Sequence, residues 1–208
     1  MLNVYITNIK KLEDKKAYDA ILNDISAFRK EKLDAVNNDE VKLQILAASY
    51  LIDEYLKTIG LREKDMVYKL TKNGKPYFEN NESIKFSISH SKNLVWVAFS
   101  DREVGFDIQQ VRNIGSEIYN YVLSDKEKED VFSAVSEADK LNKFFRYWVI
   151  KEAILKRDGT GLKRDMENVF DDFGLLGMPD SLIELSENDI YYYCVNNAFD
   201  KRFGIHLI

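Results

Sequence analysis

The apolar residues change their period several times along the chain, and each change marks an element. Near the N-terminus, LNVYITNI alternates apolar and polar positions and predicts a strand. LEDKKAYDAILNDI and FRKEKLDAV carry helical spacing, broken near Asn37-Asn38. From Asp39, Val41, Ile45, Ala48, Leu51, Ile52, Tyr55, Leu56 and Ile59 keep that spacing up to Gly60, a stop signal. Residues 66–109 read as strands: VYKLT, a KNGK turn, IKFSIS, LVWVAF and VGFDI. LVWVAF is apolar without alternation, which suits a strand covered on both faces.

The second half follows the same plan. Ser124 followed by Glu127 forms a capping-box pattern that opens a helix. A longer helix is predicted from about Ala138 to Lys156, ending at Asp158-Gly159, with strands at LIEL, IYYYCV and FGIHLI. DREVGFDI, beginning at Asp101, echoes DKRFGIHL, beginning at Asp200, and Tyr50 and Glu54 fall over Trp148 and Glu152 at nearly the same offset. The two echoes predict an internal duplication. The expected fold is α+β: two similar α/β halves, residues 1–109 and 110–208, in a pseudo-twofold arrangement with a site between them.

Composition narrows the chemistry. The 208 residues are 45% hydrophobic, enough for a core without disulfides or structural metal. Thirty basic against 35 acidic residues give −5, which argues against a general nucleic-acid binder. One cysteine cannot form an internal disulfide, and with two histidines it cannot build a usual zinc site. Cys194, in a hydrophobic strand, reads as an inert buried thiol. The longest apolar runs fall far below the roughly 20 residues of a membrane span. MLNVYITNIK lacks the basic start and apolar core of a signal peptide. A cytoplasmic protein with no membrane association is the expectation.

Three segments place polar groups where the pattern asks for apolar ones. FFRYWVIKEAILK is apolar all round, as a buried helix is, yet Lys151 and Glu152 sit in its middle. Trp148, Glu152 and Lys156 share one face of it. In VGFDIQ, Asp107 and Gln109 face the side opposite Phe106 and Ile108, offering two oxygen donors of the kind magnesium takes. FSISHSK ends a strand on Ser89, His90 and Ser91, groups that suit an anion. Arg29, Lys30, Lys32, Lys42 and Lys75 could form a basic rim for a polyphosphate; scattered lysines are otherwise solvated surface.

FRKEK, GKPYF, FSISHS, VGFDI, LSDKE and WVIKEAILKRDGTGL, in this order over residues 29–162, resemble the 4′-phosphopantetheinyl transferases of the large pseudodimeric (Sfp-type) class. The resemblance implies transfer of phosphopantetheine from coenzyme A to a serine of an acyl or peptidyl carrier protein, with magnesium. It implies that Asp107 and Glu152 ligate the metal, with Gln109 or a water completing the shell. Many members read acidic-x-acidic where this chain has Asp107-Ile108-Gln109. Glu152 is implied as the base for the carrier serine, directly or through water. Lys156 is implied as the pyrophosphate contact that protonates the leaving group. His90 and Ser89 are implied as phosphate contacts, and Arg29, Lys32, Lys42 and Lys75 as the nucleotide rim. Glu127 would stand behind the metal ligands, and residues 113–122, with Ile114, Ile118, Tyr119 and Tyr121, would dock the carrier. A monomer is implied. The alternative is a catalytically silent member that binds coenzyme A or a carrier, favoured by Gln109. No P-loop or GxGxxG motif points to another phosphotransferase.

Overall fold

The computed structural model describes residues 2–161, 166–169, 180–186, 189–197 and 203–208, the segments 180–186 and 189–197 by their backbone alone. The chain packs as two units: Met1–Lys72 with Pro76–Arg102 and Arg202–Ile208, and Asn73–Lys75 with Glu103–Lys201. The chain therefore crosses between units more than once. The strand at 104–110 belongs with the second unit, and the last strand returns to the first. No helix among the described residues is long and apolar enough to cross a membrane.

The first unit holds β1 (Leu2–Asn8), α1 (Lys15–Leu22), α2 (Ala27–Asp34), α3 (Asp39–Lys57), β2 (Tyr68–Leu70), β3 (Pro76–Phe78), β4 (Lys85–Ser91) and β5 (Leu94–Ser100). Each helix starts where a side chain can cap it: Asp14, Ser26 and Asn38 accept from the backbone N–H of Ala17, Arg29 and Val41. Ser26 thus adds a break that apolar spacing alone does not show. α3 buries Leu46, Leu51, Ile52 and Leu56, and all seven residues of β5 are buried, as its unalternating run predicts.

The second unit holds β6 (Val104–Gln110), α4 (Ser116–Val122), α5 (Asp125–Phe132), α6 (Glu137–Asp158), β7 (Asp180–Ser186) and β8 (Asp189–Asn197), while β9 (Phe203–Leu207) joins the first. Helix α4 is an element the sequence pattern does not announce. The first sheet runs β4-β5-β1-β9, antiparallel except for β9, which lies parallel to β1. The second runs β6-β8-β7, antiparallel throughout. The mixed α/β class agrees with expectation. The orders β4-β5-β1 and β7-β8-β6 correspond strand for strand, with β6 as counterpart of β1. The helix echo fits this repeat. The strand echo does not: it equates β6 with β9, which holds a different place. Asp200 and the side chain of Cys194 lie outside the described residues.

Helix α6 begins at the cap Ser136, which accepts from Asp139 N–H, and ends at Gly159 in the left-handed region at φ 66°. It lies against β6 at backbone distance. A Cβ on Gly105 would stand 1.7 Å from the carbonyl oxygen of Ala153 and 2.5 Å from Arg157 N. Glycine in a strand interior is here a packing requirement. On another face of the helix, Lys151 is fully buried. Its ammonium donates to Glu127 Oε2 at 2.5 Å and to the carbonyl of Val122 at 2.7 Å. Glu127 also accepts from Ser124 N–H at 2.7 Å, its half of the predicted capping box. One carboxylate thus starts α5 and neutralises the middle of α6.

Gly105→Ala should lower stability by about 1–3 kcal/mol in urea unfolding, the cost of overpacking. Relief of a strand glycine without a close neighbour would instead raise it. Lys151→Met should cost about 3–5 kcal/mol by leaving Glu127 buried without its partner. The double variant Lys151→Met/Glu127→Leu should recover part of that loss; equal stability of the single and double variants would contradict the pairing.

Candidate functional site

The close approach of α6 to β6 sets two facing rows of polar groups. From β6, Asp107 and Gln109 point to the face that Gly105 leaves open. From α6, Glu152 and Lys156 follow at one-turn spacing. Lys156 Nζ donates to Asp107 Oδ1 at 2.6 Å. Asp107 is buried and Glu152 half-buried. The Glu152 carboxyl is pushed up to about 7 by burial first and by the charge of Asp107 second, with Lys156 pulling the other way. Two carboxylates therefore repel one another beside one ammonium.

This donor set is all oxygen, and a divalent cation would relieve its internal repulsion, so the residues fit a hard metal such as magnesium. Among the described residues, no group of three His, Cys, Asp or Glu side chains converges. Gln109 is half-buried on the strand face of Asp107. A cavity of about 260 Å³ opens at Gln109 and is lined also by Arg112, Ile114, Ile118, Phe145 and Trp148. Trp148 lies one turn before Glu152, so the cavity adjoins the carboxylates. Of residues 113–122, expected to dock a carrier, Tyr121 is half exposed. Tyr119 is core, packed edge-on to Phe144 at 4.9 Å.

The other expected residues divide between the units. Lys75 belongs to the second, where it works as a clamp: Nζ donates to Arg157 O at 2.8 Å, to Val104 O at 3.4 Å and to Glu103 Oε2 at 2.9 Å. It ties the end of α6 to the start of β6. In the first unit, Arg29 and Lys32 sit on α2, Lys42 on α3, and Ser89 and His90 near the end of the edge strand β4. Arg29 is not on an open rim. It is 4% exposed, with its guanidinium carbon 5.3 Å from the centre of the Tyr68 ring and Nε 3.9 Å from Glu63 Oε1. Glu63, fully buried, accepts from Ser26 N and Oγ and from Tyr68 OH. Lys32 is exposed, its ammonium 4.8 Å from the Phe28 ring centre, and burial and Arg29 hold its pKa below the usual lysine value. Lys42 lies 3.8 Å from Asp39. Ser89 is buried and His90 exposed.

Two contributors escaped sequence reasoning as parts of the site. Gly105 was visible as a glycine inside a strand pattern, the signal for close backbone approach. Lys151 was visible as a charge in an apolar helix, but its partner lies 24 residues away and no local spacing points to it. Glu127, expected behind the metal ligands, is committed to Lys151 and Ser124. The repeat adds a contrast. Tyr5 of β1 holds the place of Asp107, and Glu54 that of Glu152, so the first unit carries a phenol where the second carries a carboxylate.

The sequence model of the 4′-phosphopantetheinyl transferase superfamily matches residues 103–199, which begins where the second unit's main segment begins. The chain is 29% identical over 178 residues to the L-aminoadipate-semialdehyde dehydrogenase-phosphopantetheinyl transferase of Candida glabrata, covering 76% of this chain and 69% of the relative. It is 27% identical over 169 residues to the 4′-phosphopantetheinyl transferase psf-1 of Bacillus pumilus, covering 77% and 70%. It is 26% identical over 145 residues to the 4′-phosphopantetheinyl transferase Sfp of Bacillus subtilis, covering 69% and 64%. With the β6–α6 frame inside the matched region and Sfp-like relatives along most of the chain, this protein belongs to the 4′-phosphopantetheinyl transferase superfamily, in its Sfp-type class.

Proposed function

We propose that the chain transfers 4′-phosphopantetheine from coenzyme A to a serine of an apo acyl or peptidyl carrier protein, releasing adenosine 3′,5′-bisphosphate. The observation that carries this reading is the Asp107–Glu152–Lys156 frame: two carboxylates and an ammonium on facing backbone segments, inside the region that matches the family. Asp107 and Glu152 would hold magnesium, with Gln109 or a water beside them. When bound, the ion supplies charge neutralisation at the phosphorus under attack. Glu152 is read as the base that takes the serine proton, directly or through a water. The serine oxygen forms a bond to the phosphorus of the pantetheine-bearing phosphate, and the pyrophosphate P–O bond breaks. Lys156 holds the departing phosphate and can return a proton to it. Ser89 and His90 are read as phosphate contacts, and Lys32, Lys42, Arg29 and Lys75 as the nucleotide set. For Arg29 and Lys75 that role competes with the buried contacts described above. The cavity beside Gln109, with Ile114 and Ile118 on its wall, supports a carrier helix docking there. Both carboxylates come from one chain, which supports action as a monomer. A cytoplasmic reaction, drawing on the coenzyme A found there, belongs to the same reading.

Gln109 favours a second reading, a silent member that binds coenzyme A or a carrier without transfer. Carrier mass after incubation with coenzyme A and magnesium separates the two, since only transfer adds phosphopantetheine. Glu152→Gln should abolish the adduct, and Gln109→Glu should keep or raise the rate. Full turnover by Glu152→Gln would remove the catalytic assignment.

The raised Glu152 pKa sets a pH dependence. Below about 7 a metal must displace the proton, so affinity for magnesium should rise by up to about tenfold per pH unit between about 5 and 7, then level off. Glu152→Gln should flatten that slope. In the metal-free protein the same group binds its proton more tightly folded than unfolded. Its contribution to stability is therefore present at acid pH and lost as pH rises from the ordinary carboxyl value through about 7.

A further inference from the structure

Lys156 and a divalent cation make opposing demands on one carboxylate. The ammonium lies 2.6 Å from Asp107 Oδ1; the Asp107 side chain is 6% exposed and that of Lys156 is 30% exposed. A buried carboxylate needs a charge partner, and Lys156 provides it from α6, one turn beyond Glu152. A dication approaching Asp107 and Glu152 meets that ammonium as a like charge. Lys151, the neighbouring cation of the same helix, cannot yield to a ligand, because it is fully buried on Glu127 and Val122 O. Lys156 can: its stem is flexible and partly solvated, and its head is a point charge that any oxyanion satisfies.

Resting on the transferase reading, we propose that Lys156 couples the two ligands of the site. Without coenzyme A it engages Asp107 and opposes the metal. With coenzyme A bound it turns to the pyrophosphate, and Asp107 is released to the metal. Each ligand then tightens the other by the same factor, as linkage requires.

The test measures Mn²⁺ binding to the full chain by electron paramagnetic resonance, with and without coenzyme A. Without coenzyme A, Lys156→Met should bind Mn²⁺ about 5–150-fold more tightly than wild type, the usual span of a coupling between sites. Lys156→Arg, which keeps the charge, should match wild type. Coenzyme A should tighten Mn²⁺ binding in wild type and by much less in Lys156→Met. If Lys156→Met does not fold, Lys156→Gln, which can still donate to Asp107 without a charge, carries the same expectation. Mn²⁺ binding by the uncharged variants no tighter than wild type, with Glu152→Gln still losing the ion, overturns the coupling and leaves the transferase reading standing. Failure of wild type to bind Mn²⁺ even with coenzyme A, or unchanged binding by Glu152→Gln, overturns the metal reading and the coupling together.

Discussion

Helix α6 can touch the backbone of β6 only because residue 105 has no side chain. With the Ala153 carbonyl 1.7 Å from where a Cβ would be, any larger residue must push helix and strand apart. The separation of those two backbones decides whether Lys156 reaches Asp107, and whether Asp107 and Glu152 feel each other's charge. Lys75 fastens the same junction at its end, by donating to the last turn of α6 and the first carbonyl of β6. The chemistry of the second unit thus rests on a steric allowance more than on any single hydrogen bond.

Along α6 two adjacent ions meet opposite fates. Lys151 is spent: fully buried, it is neutralised by Glu127 and saturated by a carbonyl. Glu152 is left in tension, half-buried, near another carboxylate and only partly offset by Lys156. A satisfied buried pair fixes the helix in place, and the unsatisfied one beside it is what a ligand can stabilise. The helical turn separates the two roles by about 100° of rotation, enough to put one charge in the core and the other at the site.

Most of the elements were legible as changes of period. The buried strand β5, the capped helices and the stop at Gly159 follow from local residue chemistry, and local chemistry is what a single sequence displays. The frame Asp107, Glu152 and Lys156 was legible for a related reason: charges interrupting apolar patterns need an explanation, and three of them fell at helix and strand spacing. Partners distant in the chain were not legible. Nothing near Lys151 names Glu127, and nothing near Arg29 names Glu63, so a lysine read as an anomaly and an arginine read as a surface contact both prove to be buried among specific groups. The strand echo misled for the opposite reason. Short β segments of similar composition recur easily, and only hydrogen-bonded neighbours show that β6 corresponds to β1.

The last strand carries a consequence for the order of assembly. β9 pairs parallel with β1, so residues 203–207 and 2–6 complete one sheet from opposite ends of the described chain. Pairing over so long a stretch of chain closes late. During synthesis the first unit can gather α3, β1, β4 and β5 early, yet its β1 edge stays open until the whole second unit has been made. The ribosome therefore presents an unfinished sheet edge until residues 203–207 have been made.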